Sequence, residues 1–357
     1  MNKIKCFEGN IGLIKFFSGL ILFSFLLWPE KSNAQEEISF SVVMPKEYIE
    51  KKDLSKLERS VNIPVKTSFY SESDDLVFED YENSADIIIA RNYIIEEAIY
   101  EEKIAALDNS LISNIGYINP QFLNSNYDNG RKYSVPLTWG GIGILYRKDK
   151  FDSPPATWRW LLDSDKYSGR VALINDGRTL IQLALKYIGI SANSNDPSWI
   201  NQAEGLLKRQ KEHIKNFGNS DGVALILADE VDLAIATNEE ALKVIEQDDN
   251  IGFVYPREGS LIWQDIICIS ANSNNIESAH YYINAILDAE IGKNIAVNNQ
   301  LATANLMAFE ILRDSYKNDP RIFPDSQIIE RYEDTSIIMD FDYEMMIDEM
   351  WENILDS

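Results

Sequence analysis

Residues 133–146 read YSVPLTWGGIGILY, and this stretch organises the rest of the chain. It is an extended, largely apolar segment interrupted by Gly140, Gly141 and Gly143. Glycine in a strand permits a sharp bend or the close approach of another backbone. We interpret the segment as the point where the chain crosses from a first lobe to a second. The alternative is a bulged strand inside one domain.

Strands and helices alternate on both sides of this crossing. Before it, the pattern predicts strands at 38–44, 65–70 and 86–90 and a helix at 94–100. After it, the pattern predicts strands at 170–174 and 231–236, a helix at 179–187 and a long amphipathic helix at 199–217. Such alternation is typical of open α/β sheets flanked by helices. We therefore predict an α/β protein of two lobes with a ligand cleft between them.

A second extended apolar stretch, LIWQDIICIS at 261–270, predicts a return to the first lobe. The predicted first lobe comprises 35–140 and 266–307, and the second comprises 141–265 and 308–357. The acidic C-terminal segment carries an apolar stripe at helical spacing, which predicts a helix docked on one lobe. The stripe consists of Met339, Tyr343, Met346, Met350 and Ile354.

The N-terminus has the three parts of a secretory signal peptide. Three lysines precede the uncharged run at 16–28, and a small-x-small motif ends at Ala34. A transmembrane anchor is the alternative, but a run this short rises only about 20 Å as a helix, against roughly 30 Å of bilayer core. We predict cleavage after residue 34 and a periplasmic location.

Charge and motifs exclude several classes of function. The chain has 57 acidic against 33 basic residues, a net charge of −24, which disfavours nucleic acids and anionic membrane surfaces as partners. Cys268 is the one cysteine beyond residue 34, so neither an internal disulfide nor a cysteine-based metal site is expected. There is no Gly-x-Ser-x-Gly or His-Glu-x-x-His motif. We predict a binding protein without cofactor or metal, not an enzyme.

Four groups of short motifs together resemble one known family. They are YSVP at 133–136 with WGGIG at 139–143; ATW at 156–158 with LLD at 161–163 and YSGRV at 167–171; NDGR at 175–178 with ALKYIG at 184–189; and EGS at 258–260 with WQD at 263–265. In this order they resemble the periplasmic spermidine/putrescine-binding proteins of polyamine ABC transporters. The resemblance implies a monomer with a type II periplasmic-binding-protein fold. Each lobe would be an open, mostly parallel sheet, and the lobes would close on a ligand and deliver it to a membrane permease.

Trp263 and Asp265 are the strongest candidate ligand-binding residues. Two residues apart on a predicted strand, their side chains share one face. A protonated amine needs such a carboxylate for its charge and an aromatic ring for its cation and methylene stem. The resemblance implies that both contact the ligand, whereas the alternative is a core tryptophan beside an exposed aspartate.

Asp176 follows a predicted strand, at the end where α/β folds bind ligands, but it could equally cap the following helix. The resemblance implies further ligand contacts from Tyr93, and more loosely from Tyr48. Tyr93 could instead be a packing residue. Thr237 and Asn238 stand where the family usually has Trp-Asn, and we include both in the predicted site.

Other departures from the family's pattern leave the ligand open. The first-strand loop reads Met44-Pro45-Lys46 without a tryptophan, Thr179 replaces a carboxylate, Leu301 replaces a tyrosine, and Arg91-Asn92 stand where a small hydroxyl residue is usual. Arg91 and Arg178 could bind an anionic group, or they could form surface salt bridges. The alternatives are therefore the same fold binding a different, anionic solute, or a sensor or partner-binding module.

Overall fold

The computed structural model of this chain describes residues 39–71, 78–81, 83–217, 221–334 and 341–356. The predicted signal peptide at 1–34 and Met339 of the C-terminal stripe lie outside these residues. Within them, no helix combines the length and the apolar character that crossing a membrane requires.

Strands occur throughout the described residues, from Phe40 to Asp334. They are β1 Phe40–Pro45, β2 Val65–Tyr70, β3 Ile87–Arg91, β4 Ser134–Arg147, β5 Val171–Leu173, β6 Ile214–Phe217, β7 Leu233–Thr237, β8 Ile251–Val254, β9 Leu261–Ile269, β10 Ala302–Thr303 and β11 Glu333–Asp334.

Helices separate most of these strands. They are α1 Lys51–Val61, α2 Phe78–Tyr81, α3 Asn92–Tyr100, α4 Arg159–Leu162, α5 Gly177–Tyr187, α6 Pro197–Gln210, α7 Asp221–Leu227, α8 Asn238–Ile245, α9 Ile276–Ile286, α10 Ala289–Asn299, α11 Leu306–Glu310, α12 Asp314–Lys317, α13 Ser326–Ile329 and α14 Phe341–Asp356. The alternation confirms the predicted α/β class.

The strands are hydrogen-bonded in the order β2-β1-β3-β9-β4-β7-β5-β6, with β8 and β10 also on β4 and β11 on β9. Towards either end of this order the strands pair in parallel: β1 with β2 and β3, and β5 with β6 and β7. The central strands β3, β9, β4 and β7 pair antiparallel. Two parallel groups are thus joined through long antiparallel strands.

Strand β4 is the predicted crossing segment, and its two halves have different partners. Residues 134–141 pair with β9, whereas 142–147 pair with β7 and β8. Gly140 lies at the change of partner, where a Cβ atom would overlap both the Trp263 indole and the Asn238 side chain. Glycine is therefore required here by close packing.

Separate hydrophobic clusters form on the two groups of strands. One packs α1, α9 and α10 against the β1 end of the order, and another packs α5 and α6 against the β5 end. Helix α14 joins the second cluster through Tyr343, Ile347, Met350 and Ile354, which are all buried. This confirms, for the described part of the stripe, that the C-terminal helix docks on a lobe.

Part of the segment before α14 packs against the first cluster, whereas α14 itself packs against the second. Ile322, Tyr316 and Phe323 belong to the first cluster, and the Tyr316 hydroxyl donates to the backbone oxygens of Ala296 and Leu301 at 2.7 and 2.9 Å. The predicted boundaries give all of 308–357 to the second lobe. They stay a prediction, and these contacts favour placing 312–323 with the first lobe.

The helix predicted at 199–217 is wrong beyond residue 210: α6 ends at Gln210, and Ile214–Phe217 forms β6, because these residues pair in parallel with β5. Cys268 is fully buried on β9, as its apolar surroundings predict, and burial raises the pKa of its thiol.

Candidate functional site

Three neighbouring strands place an arginine, an aspartate and a threonine in one row. In the register of β3, β9 and β4, Asp265 lies opposite Arg91 on one side and opposite Thr138 on the other. Directly opposed residues on paired strands carry their side chains on the same face. Arg91 is also the last residue of β3, immediately before α3, so its long side chain starts at the strand's carboxyl end.

The guanidinium of Arg91 is surrounded by two carboxylates and a ring. Its Nη1 lies 3.1 Å from Asp265 Oδ1, and its Nη2 lies 3.1 Å from Glu239 Oε2. Its Cζ lies 3.4 Å from the centroid of the Trp263 ring, which is van der Waals stacking distance. We call Arg91, Thr138, Glu239, Trp263 and Asp265 the Arg91 site. It is a place where the protein already holds a planar cation.

Asp265 is oriented by a buried chain of hydroxyl groups. Thr138 Oγ1 donates to Asp265 Oδ2 at 2.7 Å, and the Tyr48 hydroxyl lies 2.8 Å from Thr138 Oγ1. Since the threonine hydroxyl donates its hydrogen to the carboxylate, it accepts from Tyr48. Burial raises the pKa of Asp265, and Arg91 with the Thr138 hydrogen bond opposes that rise. Tyr48 thus acts through Thr138, and its own pKa is raised by burial and by the charge of Asp265.

The other carboxylate of the Arg91 site, that of Glu239, lies on the helix that follows β7. Glu239 lies in the first turn of α8, which Thr237 caps together with Glu240. Asn238 is fully buried, and its Oδ1 accepts a hydrogen bond from the Gly141 backbone at 3.0 Å, which fixes the start of α8 against the crossing strand. Burial disfavours ionisation of Glu239, but Arg91 and Lys243 outweigh it and hold the pKa below its ordinary value.

The remaining predicted residues have different surroundings. Asp176 is exposed and caps α5, accepting from the Thr179 backbone at 3.2 Å and the Thr179 hydroxyl at 2.7 Å. Arg178 lies over the Tyr343 ring of α14, 5.9 Å from its centroid. Tyr93 is half-buried against the cluster between β3 and α3. The structure therefore links Tyr48, Trp263 and Asp265 through Thr138 and Arg91. It places Asn238 next to Glu239 at the start of α8, which Thr237 caps, and the described contacts of Asp176 are local to α5.

Sequence reasoning did not single out Thr138 or Glu239. Thr138 lies in the quoted crossing segment, and Glu239 directly follows the predicted Asn238. Only Glu239 is the direct neighbour of a candidate residue. The pairing of Arg91 with Asp265 depends on strand register, for which the sequence gives no signal.

Comparison with known proteins identifies the family of this chain. The sequence model of the family described as bacterial extracellular solute-binding protein matches residues 75–324. The chain belongs to this family. A similar relative is the spermidine/putrescine-binding periplasmic protein of Escherichia coli, 28% identical over 291 residues that cover 80% of this chain and 83% of the relative. The putrescine/cadaverine-binding protein of Pseudomonas aeruginosa is 26% identical over 304 residues, 80% of this chain and 85% of the relative.

Comparison with solved structures supports membership of the same solute-binding family. The spermidine/putrescine ABC transporter substrate-binding protein of Streptococcus pneumoniae superposes with a TM-score of 0.82 at 25% identity, covering 89% of this chain and 98% of that one. These matches confirm the resemblance read from the four motif groups and the two-lobed fold. The chain is a transport-type solute-binding protein rather than an enzyme, and its relatives are periplasmic or extracellular proteins.

Proposed function

We propose that this solute-binding protein captures a polyamine or a similar small cationic amine at the Arg91 site and delivers it to an ABC transporter permease. It does so in the periplasm, as a monomer, after removal of the signal peptide at 1–34.

One observation carries the choice of ligand. A cation, the Arg91 guanidinium, lies on the Trp263 ring while paired with Asp265 and Glu239. An alkyl ammonium group needs the same surroundings: a ring face and charge-assisted contacts to carboxylates. The names of the relatives, which specify spermidine, putrescine or cadaverine, support the same class.

The charges of the Arg91 site disfavour the alternative of an anionic ligand. Asp265 and Glu239 already neutralise Arg91, and an incoming carboxylate or phosphate would meet both of them. Arg178 is directed towards α14 rather than towards Arg91. An anion at the Arg91 site would therefore be repelled by two nearby negative charges.

A second candidate is an amine that also carries an uncharged acceptor oxygen, such as an amino alcohol. Asn238 Nδ2 and Trp263 Nε1 are buried donors with no hydrogen-bond acceptor among the described residues. A buried donor without an acceptor is costly, so a ligand oxygen there would be stabilising. A plain diamine would leave both donors unused.

A thermal-shift series on the purified protein tests these ligands. The series contains putrescine, cadaverine, spermidine, amino acids, choline and phosphate esters. A ligand at a hundred times its dissociation constant stabilises the fold by about 2.7 kcal/mol, which raises the melting temperature measurably. Stabilisation by diamines or polyamines supports the proposal, and stabilisation by phosphate esters alone contradicts it.

Paired variants separate the two candidate carboxylates. We expect Asp265→Asn to abolish the amine-induced shift and Asp176→Asn to leave it unchanged. Asp196→Asn is the matched control for Asp176→Asn, because Asp196 is also an exposed cap, accepting from the Ser198 backbone at 2.8 Å on α6. Retention of the shift in Asp265→Asn would move the ligand away from the Arg91 site.

Export and transport need separate tests. N-terminal sequencing of the protein recovered from a periplasmic extract should begin at Gln35. Loss of labelled amine uptake when this gene is deleted would support delivery to a permease, and unchanged uptake would favour a sensor or partner-binding role.

A further inference from the structure

The Arg91 site is filled by the chain itself. Every group that the proposed function assigns to an amine, the ring of Trp263 and the carboxylates of Asp265 and Glu239, contacts the Arg91 guanidinium. The Asp265 side chain is only 4% exposed, so a second cation cannot reach it while Arg91 is in place. A free ammonium group and Arg91 therefore need the same space.

We infer that Arg91 is the specificity-determining residue of this site, acting as a tethered competitor of amine ligands. This inference rests on the proposed function. A group tethered to the same chain has an effective local concentration in the millimolar range or above. A ligand that offers one ammonium group and nothing more competes poorly against it. A ligand binds only if its additional contacts, or a second cationic end, outweigh the guanidinium.

Displacement of Arg91 also breaks its contact with Glu239, which connects the two groups of strands. Arg91 ends β3, on the β1 side of the crossing strand β4, whereas Glu239 lies in the first turn of α8, which follows β7 on the other side of β4. The Arg91–Glu239 ion pair thus joins the two groups of strands directly. Displacing Arg91 breaks this contact, and the incoming amine must replace it.

The expected size of the effect follows from the population of the state in which Arg91 has left the site. Apparent affinity falls in proportion to the fraction of molecules that can bind. With a displaced state populated at about 1–10%, removal of the guanidinium tightens amine binding about 10- to 100-fold.

The test compares Arg91→Ala with the native chain by isothermal titration with putrescine and spermidine. Arg170→Ala is the matched control, because Arg170 also pairs with two carboxylates, those of Asp229 at 3.1 Å and Asp232 at 2.6 Å, away from Trp263. We expect binding tightened at least about tenfold in Arg91→Ala and unchanged in Arg170→Ala. If putrescine or spermidine binds the native chain, equal or weaker binding in folded Arg91→Ala overturns the inference.

Methylguanidinium provides a readout that does not depend on the proposed amine ligand. It reproduces the end of the arginine side chain, so it should bind to Arg91→Ala and not to the native chain. If methylguanidinium binds only to Arg91→Ala and no amine binds to either chain, the proposed function fails, and Arg91 is a tethered competitor of guanidinium cations. If amines bind both chains equally and methylguanidinium binds neither, the proposed function stands and the inference fails.

A second variant covers the case in which Arg91→Ala does not fold. Arg91→Gln keeps the side-chain stem and a neutral donor towards Asp265, and it removes the positive charge. We expect tighter putrescine binding in this variant as well. Unchanged binding in Arg91→Gln would overturn the inference.

Discussion

The Arg91 site and the start of α5 each contain an arginine and an aspartate, but the surroundings of the two aspartates differ. Asp265 is buried between strands from the centre of the sheet order and holds a cation against a ring. Asp176 is exposed and accepts hydrogen bonds from Thr179, three residues further on. The difference shows that a carboxylate at a strand end becomes a strong candidate for ligand binding only when neighbouring strands bury it.

The largest expected effect comes from removing the buried carboxylate. Asp265→Ala leaves Arg91 without one partner and Thr138 without its acceptor, so we expect a loss of about 3–5 kcal/mol in the free energy of unfolding. Urea denaturation measures this loss. Asp229→Ala, which breaks a largely exposed pair with Arg170, should cost at most about 1 kcal/mol. Similar losses in both variants would contradict the contrast.

The hydroxyl chain behind Asp265 should have the next largest effect. Thr138→Val keeps the shape of the side chain but leaves both the Tyr48 hydroxyl and Asp265 without this partner, at a cost of about 1–3 kcal/mol. Thr138→Ser retains the hydroxyl and should cost clearly less by the same denaturation experiment. Equal costs would indicate that packing rather than hydrogen bonding matters here.

Acidification should weaken the Arg91–Glu239 contact. The folded pKa of Glu239 lies below the ordinary value of 4.5, so its ionised form stabilises the fold above that value. This contribution is lost as the pH falls through the lower folded pKa. The difference in unfolding free energy between the native chain and Glu239→Gln should therefore shrink below pH 4.5. A difference that is constant down to acid unfolding would argue against the ion pair.

The smallest effect is expected at the start of α5. Asp176→Ala removes a helix cap and should cost about 1 kcal/mol, as should the matched cap variant Asp196→Ala. Thermal unfolding measures both. A much larger loss at Asp176 would reveal a role beyond capping.

Local patterns in the sequence predict much of the fold and part of the site. The glycines of β4 indicate the crossing, and the alternation of side chains along β9 places Trp263 and Asp265 on one face. Register is not encoded locally, so the sequence does not reveal that Arg91 faces Asp265. Glu239 reaches the site from a helix far along the chain. Whether Asp176 binds a ligand or caps a helix depends on burial, which its neighbours in sequence do not determine.

The buried thiol of Cys268 makes the protein convenient for fluorescent labelling. Because burial raises its pKa, this thiol stays protonated and shielded from maleimide dyes at neutral pH. The other cysteine, Cys6, lies in the predicted signal peptide. In the exported protein, Lys243→Cys on the exposed side of α8 therefore introduces a single reactive position one turn from Glu239. We expect the fluorescence of a dye attached there to change when Arg91 separates from Glu239. The labelled protein would then report ligand binding directly.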